Sequence, residues 1–160
     1  MPSRVQCLVL LATAGTMPEW NDRRLSRGHR AIPLPTVAAM GRTPMISQLV
    51  KQLGIDVDVV LRPVESSILV EVEQRAYNVF HVQKARGSEF IPAQDDFVIP
   101  HGVRSVLGFG GILTGGSMFA IILFSSTPIP RQTADLFKTI AASVKVAVTP
   151  FSRGPIFASP

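Results

Sequence analysis

The residues best placed to bind a ligand lie on one strand in the second half of the chain. Along the run Val103–Leu113, the alternation of side chains puts Arg104, Gly108 and Gly110 on one face. Glycine leaves open volume beside a strand, and a guanidinium can hold an anionic or carbonyl group through paired hydrogen bonds. The pattern predicts a cavity with Arg104 as its polar clamp. In the alternative, the glycines admit a closely packed helix and Arg104 pairs with a carbonyl or with the carboxylates at 95–96.

Tyr77 and His81 complete the predicted ligand-binding set. The segment Tyr77–Val82 alternates as a strand and places both side chains on one face. We expect them to line the same cavity as Arg104. His81 and His101 could instead hold a metal together with a carboxylate, but no short ligand spacing such as His-x-x-x-His supports this. We therefore predict no metal and no cofactor.

No motif for covalent catalysis or phosphate binding is present. Ser105 lies within a strand instead of a Gly-x-Ser-x-Gly elbow, and no general base is placed beside it by the sequence. The run Gly108–Gly111 lacks the Lys-Ser/Thr ending and the following helix of a phosphate-binding loop. The sequence predicts a protein that is not an enzyme and has no catalytic residue.

Size and composition favour one globular domain. The chain has 160 residues, of which 46% are apolar, and its longest apolar runs are too short for a transmembrane helix. Its one cysteine, Cys7, can form no internal disulfide and lies in an apolar run, so we expect a buried thiol and a cytoplasmic protein without membrane contact. The apolar N-terminus could alternatively be a short signal peptide.

A cluster of positive charge lies near the N-terminus. The segment Arg23–Arg30 contains four arginines and a histidine, and the whole chain has a formal charge of +5. Such a cluster could bind phosphate or nucleic acid. A solvated loop is the simpler interpretation, because no recognition helix or zinc pattern accompanies it. Nucleic acid is therefore not an expected partner.

These residues must be positioned by a mixture of strands and helices. In the first half, the pattern predicts a central strand at Val5–Ala14, a long loop at Thr16–Met40 and a helix at Thr43–Gly54. These are followed by a short strand at Val57–Leu61 and a strand or short helix at Ser66–Gln74. In the second half, it predicts the strand Tyr77–Val82, a polar loop at Gln83–Gln94, a hairpin of Val103–Leu113 and Met118–Phe124 joined by a Gly-Gly turn, and a helix at Pro130–Val148.

Two of these elements carry further expectations. Met118–Phe124 is apolar at both parities, which predicts a strand buried on both faces. The terminal helix is expected to lie on the sheet through one apolar stripe, formed by Leu136, Phe137, Ile140, Ala141, Val144 and Val148.

The second half of the chain resembles a GAF-type sensory domain. The resemblance is carried by the strand 102–109, its return strand 116–124 and the terminal helix 133–141, in that order. The segments 78–82, 90–94 and 128–130 are similar to GAF-like regions found beside histidine kinases and other output modules in bacterial signalling proteins.

The resemblance implies an α/β (α+β) fold with a central antiparallel sheet and packed helices, in one domain at 1–151 followed by a flexible tail at 152–160. It also implies a regulatory module that binds an unknown small-molecule ligand or a signalling output domain and pairs as a homodimer through helices. Thiol-based reduction and bilin attachment do not fit a chain with one early cysteine, and the residues associated with cyclic-nucleotide binding are not found. A structural dimerisation or docking domain without a small ligand is the alternative.

Overall fold

The computed structural model describes residues 5–28, 30–34, 36–55, 60–61 and 79–157. Within these ranges the chain forms a two-stranded and a three-stranded antiparallel sheet with helices, which confirms the predicted mixture of α and β structure. The elements are β1 Gln6–Val9, β2 Ala31–Leu34, α1 Val37–Gly41, α2 Pro44–Gln52, β3 Val79–Val82, β4 Ser105–Ile112, β5 Met118–Ser125 and α3 Arg131–Val148. Short 3-10 or π turns lie at Pro18–Asn21, Arg23–Leu25, Gln94–Val98 and Thr149–Phe151.

The larger sheet has the order β3-β4-β5, with both pairs antiparallel. The predicted hairpin of β4 and β5 is confirmed. Its turn is closed by a hydrogen bond from the Leu113 N–H to the Ser117 carbonyl, and Gly115 and Gly116 both adopt positive φ, which only glycine does without strain. This turn explains why the two apolar runs are separated by a glycine pair.

The sheet buries both of its faces around β3 and β4. One face packs against α2, and its buried side chains include Phe80, Val82 and Val106 with Ile46, Leu49 and Val50 of the helix. The opposite face packs against α3, and its buried side chains include Val79, Leu107 and Phe109 with Ala134 and Ala141. The expected alternation of β3, with Val79 and His81 opposite Phe80 and Val82, is therefore confirmed.

The predicted helix at Thr43–Gly54 is confirmed as α2. Thr43 is its N-cap residue and Pro44 lies in its first turn, where a missing N–H costs nothing. Beyond α2, the predicted strand Val57–Leu61 is described only at Val60 and Leu61, which are helical. The segment Ser66–Gln74 lies outside the described residues.

The N-terminal prediction was wrong in three respects: the central position of the first strand, the burial of Cys7 and the long loop at 16–40. β1 is not a central strand, because it pairs only with β2 among the described residues, and Val5, Val9 and Leu11 are exposed. Cys7 lies on the same outward face and is exposed as well. The partner strand β2 and the helix α1 lie in the stretch predicted to be a long loop.

The second strand of the hairpin was also predicted wrongly. β5 is the outer strand of its sheet among the described residues, and every one of its residues is at least partly exposed. The side chains of Leu123 and Phe124 are the most exposed, with Phe124 at 40%. The apolar residues of β5 are typical of a central strand, but α3 packs mainly over β3 and β4, so β5 is only partly buried: Ile121 packs on the α3 side, and Met118, Ala120 and Ile122 pack on the α2 side.

The terminal helix α3 follows the predicted boundaries, with Pro130 as its N-cap residue. Its predicted stripe is only partly correct. Phe137, Ala141 and Val144 pack on the sheet, whereas Leu136 and Ile140 are 68% and 41% exposed. Successive residues are about 100° apart around a helix, so the two exposed side chains form a second, outward stripe. None of the helices in the described ranges is long and apolar enough to cross a membrane.

The polar loop predicted at Gln83–Gln94 is organised by its last residue. The Gln94 side-chain amide donates to the carbonyls of Ala85 at 3.0 Å and Ile91 at 2.7 Å, and its oxygen accepts from the Gly87 N–H at 2.9 Å. One side chain thus satisfies several backbone groups that no strand or helix pairs.

Candidate functional site

The register of the sheet separates the residues predicted to form one ligand cavity. His81 pairs with Leu107 and lies on the α3 face, whereas Gly108 pairs with Phe80 and lies on the α2 face. Paired residues of neighbouring strands point to the same side, so His81 and Gly108 are on opposite sides of the sheet. The prediction that they line a common cavity was therefore wrong. Tyr77 lies outside the described residues.

The space beside the strand glycines is filled. A Cβ atom at Gly108 would lie 3.0 Å from Leu49 Cδ1 and 3.2 Å from Phe80 Cβ, both in the buried core. A Cβ atom at Gly110 would overlap the carbonyl oxygen of Phe119 on β5. The glycines thus allow close packing of α2 and of the β5 backbone, in agreement with the alternative interpretation in which they border no cavity.

Arg104 is exposed immediately before β4. Its N–H donates at 2.7 Å to the carbonyl of Ser125, which is the register partner of the next residue, Ser105. Its own carbonyl accepts from the Ala85 N–H at 2.9 Å. Two successive residues therefore face Ser125, as in a β-bulge, and the simple alternation that placed Arg104 beside Gly108 does not extend to this position.

A buried polar group anchors the loop that leads into α3. Ser105 is fully buried; its Oγ donates to the Thr127 carbonyl at 2.8 Å and accepts from the Ile129 N–H at 3.1 Å. His81 Nε2 contacts the Ile129 carbonyl at 2.7 Å. A carbonyl only accepts, so Nε2 carries the proton in this contact. Ser105 is thus a structural residue. It holds Ile129, which immediately precedes Pro130, the N-cap residue of α3.

His81 also connects the two faces of the sheet. Its backbone N–H donates at 2.8 Å to Oε1 of Gln52, the last residue of α2, while its ring bonds the residue preceding Pro130 of α3. One residue of β3 thus contacts both the end of α2 and the loop that precedes α3. Sequence reasoning missed Gln52, because nothing in a glutamine at a helix end indicates which strand it will reach.

Four aromatic rings meet at one end of the hairpin. Trp20 contacts His101 with the ring centroids 4.7 Å apart, and Phe97 joins both of them to Phe124 on β5. His101 is thus an exposed residue packed edge-on against Trp20. The alternative role of His81 and His101 as metal ligands has no support, since no group of three candidate ligands occurs among the described residues.

The basic segment at 23–30 is largely held by contacts within the chain. Arg23 reaches the Leu10 carbonyl and stacks on the ring of Phe157, with 3.9 Å between its Cζ and the ring centroid. Arg24 forms a bidentate ion pair with Asp22, and its hydrogen bonds lower the pKa of that carboxyl to about 2. These contacts fold the connection between β1 and β2 and place Phe157, in the predicted tail, against it.

Two shallow depressions on the described surface are open to solvent. One, of about 380 Å³, is lined by the 11–13 and 21–24 segments, and the other, of about 400 Å³, lies between the start of α2 and the 89–90 segment. Neither includes Arg104, His81, Gly108 or Gly110. The chain matches no protein-family model, no curated protein and no solved structure.

Proposed function

We propose that this chain is a non-catalytic regulatory module of GAF-like type, which transmits a change in its contacts through the packing of α3. Its partners are a signalling output domain, such as that of a histidine kinase, and a second copy of the chain. The cue is an unidentified small molecule or contact with the partner domain. The observation that carries this proposal is the two-sided character of α3.

α3 contacts the sheet through one stripe and presents a second one outward. Leu136, Ile140, Ser143 and Ala147 are exposed and follow one another at intervals of four, three and four residues. This is the 3.5-residue period of a helix-to-helix seam. The charged side chains Arg131, Asp135 and Lys138 lie together on another part of the helix, where they form ion pairs. The outward stripe is therefore free of charge and suited to packing against another helix.

A cue can reach this stripe through the contacts of His81. The residue joins the end of α2 to the loop before α3, and Ser105 holds the same loop from inside the core. A partner or ligand that binds one arrangement of α2 more tightly would shift the population of α3 positions by its difference in affinity. This route accounts for a regulatory role without any catalytic group.

One observation favours the second candidate, a dimerisation or docking domain without a small-molecule ligand. The face of β4 that was expected to border a cavity is filled by Leu49 and Phe80. The two candidates share the α3 surface and differ only in whether a small molecule is bound.

Native mass spectrometry of the purified protein separates them. A small molecule retained by the folded chain supports the ligand sensor, and a bare polypeptide supports the docking domain. In parallel, Leu136→Ser with Ile140→Ser is expected to weaken self-association about tenfold or more, since two apolar side chains leave the seam. Val146→Ser is the matched control, because Val146 is 73% exposed but lies off the stripe.

Both candidates share the prediction that the stripe is a contact surface. Equal association of the double serine variant and the wild type would contradict it. Turnover of a substrate by the purified chain would overturn the non-catalytic assignment.

A further inference from the structure

One edge of β5 carries a regular row of backbone groups that are unpaired among the described residues. The bonded pair Leu113–Ser117 at the turn sets the alternation of the β4-β5 ladder, so the odd-numbered residues of β5 exchange hydrogen bonds with β4. The N–H and carbonyl groups of Met118, Ala120, Ile122 and Phe124 therefore point away from β4. No strand in the described parts of the chain pairs with this edge.

The edge lacks the features that keep natural edge strands unpaired. Met118–Ser125 contains no charged residue, no proline and no glycine, and its pairing with β4 runs over its whole length. Edge strands that remain free are usually short, charged, interrupted by proline or bulged. Water or another strand can satisfy such a row of backbone groups, whereas a helix, whose own backbone groups are already bonded, offers no matching row of donors and acceptors.

We propose that this edge pairs with β5 of a second copy of the chain, antiparallel and about a two-fold axis at Ile121. This register aligns the whole apolar segment Met118–Phe124 with its own copy, and it places Met118 opposite Phe124 and Ala120 opposite Ile122. Each outward-pointing residue thereby meets another outward-pointing residue, which completes the ladder.

The side chains are complementary in the same register. The small Ala120 faces the larger Ile122, the thioether of Met118 faces the ring of Phe124, and Phe119 faces Leu123 on the α3 side. Because both members of every pair belong to the same strand, one sequence supplies the whole contact and the interface is closed under the two-fold axis. The result is a continuous six-stranded sheet with the order β3-β4-β5-β5-β4-β3.

This interface is independent of the α3 stripe and of the proposed function. In the dimer formed by β5, each α3 still covers its own β3 and β4. The β5 tests are made in the Leu136→Ser, Ile140→Ser background, and the α3 comparison is made in the Met118→Lys, Phe124→Lys background, so that a failure of the α3 surface and a failure of the β5 edge give different results.

A charge swap tests the register. Met118→Lys with Phe124→Lys places like charges directly opposite each other at two places in the dimer, whereas Met118→Glu with Phe124→Lys places opposite charges there. The two variants lose the same apolar side chains, so each controls for the stability of the other. We expect the Glu/Lys variant to dimerise at least about tenfold more tightly than the Lys/Lys variant in sedimentation velocity. Equal affinity of the two would overturn the register.

A cross-link tests the axis. In a Cys7→Ser background, Ile121→Cys places two thiols at a non-hydrogen-bonded pair, where the Cα atoms are about 4.5 Å apart and a disulfide fits. Leu123→Cys is the control, since residue 123 faces 119 of the other copy and its own counterpart is more than about 10 Å away. We expect a covalent dimer for the first variant only.

Hydrogen exchange separates the other possible occupants of the edge. A monomer whose Ala120 and Ile122 amides are protected would show that another part of the same chain covers β5, and a monomer with both amides unprotected would show a free edge. Either result overturns the proposal. Protection that appears only as the dimer forms supports it.

Discussion

Replacing Gly108 by alanine tests whether the β4 glycines border a filled core or a ligand cavity. The added Cβ would lie 3.0 Å from Leu49 Cδ1 and 3.2 Å from Phe80 Cβ. Both side chains are fully buried, so neither can swing into solvent. Overpacking of this kind costs about 1–3 kcal/mol, and alanine recovers about 0.5–1 kcal/mol of strand propensity relative to glycine. We expect Gly108→Ala to lower the free energy of unfolding by about 0.5–2 kcal/mol.

The cause of this loss can be isolated by a double-mutant cycle with Leu49→Ala. Alone, Leu49→Ala should cost about 2–5 kcal/mol, because it empties space in the core. In that background the methyl group added by Gly108→Ala enters the vacated volume, so this second substitution should be neutral or stabilising. The expected coupling free energy is about 1–2 kcal/mol.

Urea unfolding followed by circular dichroism at 222 nm, where helical structure gives most of the signal, measures all four variants of the cycle. Gly154→Ala is the control, since nothing lies within 4 Å of its added Cβ, and it should change stability by less than about 0.5 kcal/mol. A neutral or stabilising Gly108→Ala that shows no coupling to Leu49 would refute the filled-core interpretation and restore the cavity predicted from the sequence.

Two further outcomes are expected. His81→Ala should remove the bond to Ile129 at a cost of about 1–2 kcal/mol and speed amide exchange in the first turn of α3, while His101→Ala leaves that exchange unchanged; equal exchange in both variants would contradict the connection through His81. The Asp22 carboxyl should titrate near a pKa of about 2, and Arg24→Gln should return this pKa toward 3.8, as measured by NMR. Because the folded pKa is the lower one, the contribution of this pair to stability is present above pH 3.8 and is lost as the pH falls through about 2. An unchanged titration in Arg24→Gln would show that the ion pair is not the cause.

Local patterns predicted the hairpin, α2 and the limits of α3, because their signals lie within each segment. Pro44 and Pro130 fix where the two helices begin, and the glycine pair at 115–116 fixes the turn. Alternation also assigned the faces of β3 correctly. In each case neighbours in sequence determine the outcome.

The candidate site could not be predicted, because it depends on the alignment of separate strands. Alternation assigns the residues of β3 to two faces and those of β4 to two faces. Which face of β3 lies on the same side of the sheet as a given face of β4 is set by the register between residues far apart in sequence. The bulge at Arg104 shifts the pattern by one more residue. His81 and Gly108 were therefore placed together although the sheet lies between them.

Burial was mispredicted where an apolar segment has more than one possible neighbour. The pattern of α3 shows which residues are apolar but cannot distinguish the stripe on the sheet, which includes Phe137, from the outward stripe of Leu136 and Ile140. The same limitation affects β1, where one parity packs inward through Leu8 while Val9 is exposed. Hydrophobicity predicts that an apolar side chain will be buried in a contact, but it does not identify the element that the side chain contacts.

The α3 stripe and the β5 edge are expected to behave differently. The α3 stripe consists of Leu136 and Ile140 followed by the small residues Ser143 and Ala147, so a helix can leave it without exposing a long apolar surface. The β5 edge combines apolar side chains on both faces with unpaired backbone groups, which is the composition of aggregation-prone segments when it is left open. A regulated contact must separate at small cost, and a permanent one need not. In our proposal β5 therefore holds two copies together continuously, and α3 is the surface whose contacts change.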